Sequence, residues 1–141
     1  MTTVNFANDD EAIKAIMTGD ESGETLVNFS RQVAERLARD GLGNAQMRNF
    51  FTEVRQIQTM WNANQEGSRT DALRRLNMLK PKLAYQTMRE RKVETLRQVL
   101  TKCIEYVNLA GKPGGDQDKA FKRFMDFFEA ILAYHYAEGV R

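Results

Sequence analysis

The spacing of the apolar residues constrains this chain most, because they recur every three or four positions through most of its length. This is the period of an amphipathic helix that lays one face on a core. No segment alternates between apolar and polar residues for long enough to indicate a strand, and no internal repeat is visible. The apolar stripes form five stretches, which begin at Leu26, Met47, Leu73, Val93 and Phe121. The sequence therefore predicts an all-α fold, a compact antiparallel bundle of about five helices.

The breaks between these stretches are marked by glycine, proline and polar runs. Residues 39–43 read Arg-Asp-Gly-Leu-Gly, residues 62–68 are polar, and residues 110–116 contain Gly-Lys-Pro-Gly-Gly. Pro81 falls inside the third stretch, where it removes one backbone donor and crowds the carbonyl of Asn77. The third helix is therefore predicted to be kinked or split at Pro81.

Residues 1–20 differ from the rest of the chain because they are acidic and contain few apolar residues. The segment Asp-Asp-Glu-Ala-Ile-Lys-Ala-Ile-Met could form a short helix with acids in its first turn, and Thr-Gly-Asp-Glu-Ser-Gly-Glu ends it. We expect residues 1–20 to be a mobile acidic N-terminal segment and residues 21–141 to be a single helical-bundle domain. A chain of 141 residues can bury a core of its own without disulfides or metals.

Histidine and cysteine, the residues most typical of zinc sites and of nucleophile–base pairs, are scarce in this chain. Its one cysteine, Cys103, lies in an apolar run, and its one histidine, His135, lies on the apolar stripe of the last helix, where local bonding is expected. No known motif builds a zinc site or a nucleophile–base pair from them. The Gly-Lys-Pro-Gly-Gly loop lacks the features of a P-loop. We predict no catalytic residue, metal or cofactor, and expect a protein that binds rather than an enzyme.

Signals for a membrane or for export are also missing from the sequence. No stretch approaches the roughly 20 apolar residues that span a bilayer. The N-terminal residues lack the basic and apolar parts of a secretory signal, and a single cysteine cannot form an internal disulfide. These features indicate a cytoplasmic protein with no membrane partner.

Charge is distributed unevenly, although the net charge of the whole chain is only +2. Residues 1–40 contain four Lys or Arg and eight Asp or Glu, which gives −4. Residues 41–102 contain twelve Lys or Arg and five Asp or Glu, which gives +7. A basic middle region is typical of proteins that bind a polyanion such as a nucleic acid, although helical proteins also use such an imbalance for solubility.

Within this basic region, the helix that begins near Met47 has a polar stripe without acids. Its apolar residues share one face, and Arg48, Thr52 and Arg55 lie together on the opposite face with Thr59. Guanidinium groups bond phosphate oxygens in pairs, and hydroxyls add neutral donors. The stripe therefore predicts contact with a nucleic-acid backbone, and a plain solvated surface is the alternative.

The next helix is predicted to carry a second basic stripe that includes an aromatic residue. The residues opposite its leucines are Arg75, Met78, Lys82, Tyr85 and Arg89, and Arg91 continues the positive surface. An exposed tyrosine among cations can stack on a base or bond the 2′-hydroxyl of RNA. Exposed Met and Tyr also occur at protein interfaces, so contact with another protein remains an alternative for Met78 and Tyr85.

Two segments of the chain resemble a known family. Residues 46–55, Gln-Met-Arg-Asn-Phe-Phe-Thr-Glu-Val-Arg, and residues 79–85, Leu-Lys-Pro-Lys-Leu-Ala-Tyr, are similar to the small helical subunit of type III-A CRISPR-Cas effector complexes, the Csm complexes. The similarity extends from about Phe29 to Tyr136 and includes the helix order and the aromatic last helix.

This resemblance implies a non-catalytic RNA-binding subunit of a ribonucleoprotein that serves antiviral defence. Several copies stack along the channel that holds guide RNA and target RNA, beside the backbone subunits and in contact with the large subunit. The RNA-facing candidates that it implies are Arg48, Arg55, Lys80, Lys82, Tyr85 and Arg89. A structural helical adaptor without RNA contact is the alternative function.

Overall fold

The computed structural model describes residues 6–139, and it is helical throughout this range, with no strand. Six α-helices and one short 3₁₀-helix follow one another with brief connections. The α-helices are α1 (Phe6–Thr18), α2 (Glu24–Arg39), α3 (Asn44–Trp61), α4 (Ser68–Arg89), α5 (Glu94–Leu109) and α6 (Gln117–Ala137), and the 3₁₀-helix (Arg91–Val93) precedes α5. The all-α prediction is confirmed, and the described residues contain one α-helix more than the five expected.

Helix α6 is central to the packing, because it contacts α1, α2, α3 and α5. Its aromatic residues were predicted to line the core, and Phe124, Phe127 and Phe128 are fully buried. Aromatic rings from α3 join them: Trp61 stacks on Phe121 with ring centroids 4.3 Å apart, and Phe51 meets Phe128 edge to face at 5.3 Å. The contact between α3 and α6 therefore supplies much of the aromatic part of a core to which all six helices contribute.

Helix α1 lies in the segment that the sequence separated from the bundle. Its residues Ile13, Ile16 and Met17 are buried in the same core as the other helices, and α1 contacts α2, α5 and α6. The Arg123 guanidinium of α6 also donates a hydrogen bond to the carbonyl of Met17 at 3.1 Å. Residues 6–18 are therefore part of the bundle. Residues 1–5 lie outside the described range, and the mobility expected for residues 1–20 stays a prediction.

Helix α4 continues through Pro81 as one helix of 22 residues, so the predicted split is not present. Pro81 is exposed, on a side of the helix where water can hydrate the carbonyl that loses its backbone donor. Packing of Leu79 and Leu83 on either side of the proline holds both halves of α4 against the core. A bend at Pro81 stays a prediction.

The turn between α2 and α3 sets the direction of α3. Gly41 adopts a left-handed φ of 86°, and the amide of Leu42 donates to the carbonyl of Leu37 at 3.1 Å, which closes the C-terminus of α2. His135 of α6 is fully buried, and its Nε2 lies 2.6 Å from the carbonyl oxygen of Leu42. This histidine therefore bonds to a distant loop rather than locally, and it ties that loop to α6.

Candidate nucleic-acid interface

Helix α3 presents its polar stripe to solvent, as the sequence predicted. The buried side of the helix consists of Met47, Val54, Ile57 and Trp61. Arg48, Thr52 and Arg55 are all exposed on the other side, and we call these three residues the α3 basic stripe. Arg48 and Arg55 are seven residues apart, which is about 10 Å along a helix.

The two arginines of the α3 basic stripe are not neutralised by acids. Across residues 6–139, no ion pair involves Arg48 or Arg55. The Arg55 guanidinium lies 5.9 Å from the centre of the Phe51 ring, a contact that leaves its hydrogen-bond donors available. The Thr59 hydroxyl donates to the backbone carbonyl of Arg55 at 3.1 Å. The stripe therefore has two charged groups and the Thr52 hydroxyl for an anionic partner.

Arg75 and Lys82 of α4 were predicted to belong to a second basic stripe that faces RNA. In the structure, both bind Glu53 of α3. The distances from Glu53 are 3.4 Å to the Arg75 guanidinium and 2.9 Å to the Lys82 ammonium group, and Arg75 also donates to Gln56 at 2.6 Å. The hydrogen bond from Lys82, together with both positive charges, holds the pKa of Glu53 below its ordinary value. The prediction that Arg75 points away from the bundle is wrong, because this side of α4 packs against α3.

The remaining predicted residues of α4 and its continuation lie at separate places. Tyr85 and Arg89 are exposed neighbours, with the Arg89 guanidinium 5.9 Å from the Tyr85 ring centre. Lys80 is half-buried and lies about 160° around the helix from Lys82, since each residue turns about 100°. Arg91 is exposed in the 3₁₀-helix. The predicted RNA-binding residues therefore do not form one continuous surface.

A groove of about 440 Å³ lies between α3 and α4. We call it the α3–α4 groove, and its walls include Phe50, Glu53, Met78, Pro81, Lys82 and Tyr85. Arg55 lies about 160° around α3 from Glu53. The groove and the α3 basic stripe are therefore two distinct surfaces.

A cluster of side chains at the C-terminal end of α3 was not predicted from the sequence. Asp118 accepts a hydrogen bond from the Trp61 indole at 2.8 Å and pairs with Arg69 at 3.1 Å. Arg69 covers the indole with its guanidinium 5.2 Å from the ring centre. Asp116 caps α6, because its carboxylate accepts from the amide of Lys119 at 3.0 Å. The missed cluster joins the ends of α3, α4 and α6.

Side chains that could bind a metal ion are not clustered in the described part of the chain. Across residues 6–139, no three His, Cys, Asp or Glu side chains converge in a way that could hold a metal ion. Burial raises the pKa of the Cys103 thiol, which keeps it protonated in the core. None of the helices described is long and apolar enough to cross a membrane.

The fold and this surface define a class: a small α-helical bundle with an exposed cationic stripe on one helix. The family model described as Csm2 Type III-A matches residues 20–141. The chain belongs to the Csm2 family, the small subunits of type III-A CRISPR-Cas complexes, which confirms the resemblance noted in the sequence. The comparison with curated proteins gave no significant match, and neither did the comparison with solved structures.

Proposed function

We propose that this subunit is a non-catalytic RNA-binding protein that contacts the RNA backbone through the α3 basic stripe. Several copies stack along the channel that holds guide RNA and target RNA, with the backbone and large subunits of the complex as protein partners. In this role the protein contributes to antiviral defence in the cytoplasm. The observation that supports the proposal most is that Arg48 and Arg55 are exposed on one helix face with no ion pair among the described residues.

The chemistry of the stripe suits a backbone more than bases. Each guanidinium can donate two parallel hydrogen bonds to a phosphate, and the Thr52 hydroxyl adds a neutral donor. Such contacts position a nucleic acid without reading its sequence. In an RNA-guided complex, base pairing between guide and target supplies the sequence information. The α3 basic stripe is therefore expected to bind RNAs of different sequence about equally.

A single copy is expected to bind RNA weakly. A few cations supply only the sequence-independent part of binding, which corresponds to a dissociation constant of roughly 1 to 100 µM at physiological salt. When neighbouring copies are held in series, each further contact becomes intramolecular, and avidity rises by about 10² to 10⁴. Affinity should then increase with RNA length in the assembled complex and depend little on base composition.

The test is the double variant Arg48→Ala/Arg55→Ala, compared with the control Lys14→Ala/Arg31→Ala. The control removes the same charge from exposed residues of α1 and α2. RNA affinity is measured at several salt concentrations for the isolated subunit and for the complex. The α3 variant should weaken binding and reduce the slope of log affinity against log salt by about one for each phosphate that is no longer bound.

Three outcomes would contradict this proposal. If the isolated subunit and the complex bound RNA equally well with the variant and with the control, the α3 basic stripe would not be the RNA contact. If the complex assembled and this subunit made no contact with RNA in it, the protein would be a structural adaptor. Tight, sequence-selective binding by a single copy would also exclude a backbone contact of this kind.

A further inference from the structure

Helix α4 exposes a row of apolar side chains along one edge of the α3–α4 groove. Met78, Tyr85 and Met88 are 52%, 62% and 80% exposed, and Pro81 lies exposed between the first two. The spacings along this row are three, four and three residues, so the row follows one side of the helix for about 15 Å. Contiguous exposed apolar groups of this kind mark a surface that another molecule covers.

The charges around this row are mainly positive. Glu53 in the groove is paired with both Arg75 and Lys82, so these three residues together carry one positive charge. Arg89 contacts Tyr85 and has no acidic partner among the described residues. The groove therefore combines apolar contacts with an excess of cations, which suits an acidic surface that carries an apolar anchor.

The outer side of α6 carries an apolar anchor of this kind together with a small excess of negative charge. Asp126, Glu129, Ala133 and Tyr136 are all exposed, and Tyr136 is 70% exposed although it is aromatic. We call these four residues the α6 outer face. Their spacings are three, four and three residues, the same as those of the exposed row on α4, and they also span about 15 Å. Lys122 partly offsets the charge of Asp126 at 3.3 Å, and Glu129 has no such partner among the described residues.

The two surfaces cannot meet within one molecule. The principal neighbours of α6 are α1, α2, α3 and α5, whereas those of α4 are α3, α5 and the 3₁₀-helix. A contact between two different surfaces on successive copies can repeat, and it produces a row of subunits when the rotation between copies does not close a ring. Small residues between larger ones, such as Ala133 on α6, let two helices approach closely.

We propose that the α3–α4 groove of one copy binds the α6 outer face of the next copy, with Tyr136 as the anchor. This inference rests on the proposed function, because it assigns the surfaces through which the stacked copies meet. Protein is favoured over RNA as the occupant because the thioethers and the proline offer no hydrogen-bond donors to phosphate. Arg55 lies about 160° around α3 from Glu53, so a copy docked in the groove leaves Arg55 exposed.

The proposal is tested in the assembled complex by crosslinking engineered cysteines. The double variant Met78→Cys/Ala133→Cys places one thiol on each surface and keeps both tyrosines, and the native Cys103 is buried and does not react. A short bis-maleimide should join successive copies into a ladder of dimers, trimers and longer products. The single variants Met78→Cys and Ala133→Cys are the controls and should give no ladder, since the contact joins unlike surfaces. A complex that assembles with several copies and gives no ladder would overturn the proposal.

A second measurement uses the isolated subunit and two blocked variants, Tyr85→Glu and Tyr136→Glu. Each variant alone should associate at least about tenfold more weakly than the wild type. In an equal mixture, the intact groove of Tyr136→Glu should bind the intact α6 outer face of Tyr85→Glu. The mixture should therefore form dimers and nothing larger. Association of each variant at the wild-type level would contradict the proposal. Circular dichroism confirms that both variants fold, which is expected because both tyrosines are exposed.

Failure of this proposal can be told apart from failure of the proposed function. If Arg48→Ala/Arg55→Ala weakens RNA binding while the cysteine ladder still forms, both proposals stand. A ladder without any effect of that variant on RNA binding contradicts only the RNA contact. If instead Tyr85→Glu lowers the RNA affinity of a single copy and no ladder forms, the groove is an RNA site and the docking of copies is wrong.

Discussion

Replacing Phe124 by Ala should destabilise the protein strongly, because this ring lies at the centre of the core. Phe124 is fully buried, with the rings of Phe121 and Phe128 at centroid distances of 6.1 and 6.4 Å. Removing a buried phenyl ring loses its transfer free energy and leaves a cavity, at a cost of about 3 to 5 kcal/mol. Unfolding entropy of about 2.1 cal/mol/K per residue gives about 0.3 kcal/mol/K here. The thermal midpoint should therefore fall by roughly 10 to 17 °C.

The assay is thermal and urea unfolding of the isolated subunit, followed by far-ultraviolet circular dichroism. Leu109→Ala is the control, because it removes an exposed apolar side chain of α5 that lies outside both proposed interfaces, and it should cost within about 0.5 kcal/mol. A loss below about 1 kcal/mol for Phe124→Ala, with a defect seen only on assembly, would refute the reasoning. In that case α6 would be an interface element rather than part of the core.

Two further predictions concern α1 and Glu53. Ile16→Ala should cost about 2 to 5 kcal/mol in urea unfolding, since Ile16 is buried; a negligible cost would mean that α1 is not part of the bundle in solution. Because the folded-state pKa of Glu53 is lowered, its ion pairs stabilise the protein at neutral pH and are lost as pH falls through that pKa. The stability of wild type should therefore fall more than that of Glu53→Gln between about pH 6 and pH 3, and parallel curves would contradict this.

Helical periodicity alone predicted the helices from α2 to α6, because each buries a stripe of large apolar residues. It also placed Arg48, Thr52 and Arg55 on the solvent side of α3, where the structure has them. It gave less weight to α1, whose buried apolar side chains among the residues described are Ile13, Ile16 and Met17, towards its C-terminal end. A short apolar stripe is a weak signal in sequence even when tertiary packing makes full use of it.

The wrong prediction for Arg75 of α4 has a different cause. A helical projection separates the core side from the solvent side, but it does not show which flank a neighbouring helix covers. Helix α3 covers one flank of α4 and brings Arg75 to Glu53, while α5 packs on another, where Asn77 and Asn108 bond to each other. The ion pairs of Glu53 depend on residues 22 and 29 positions away along the chain. They follow from the packing of α3 on α4, which no single helix encodes.

Glu53 distinguishes the charges of two surfaces that both belong to the basic region of the sequence, the α3–α4 groove and the α3 basic stripe. Its carboxylate neutralises part of the charge that Arg75 and Lys82 bring to the groove, whereas Arg48 and Arg55 keep their full charge on the other side of α3. A phosphate backbone is attracted most to the surface with uncompensated cations. A protein partner binds best where exposed apolar groups are bordered by limited charge. One helix, α3, can therefore take part in RNA contact on one side and in contact between copies on the other, and neither partner needs to displace the other.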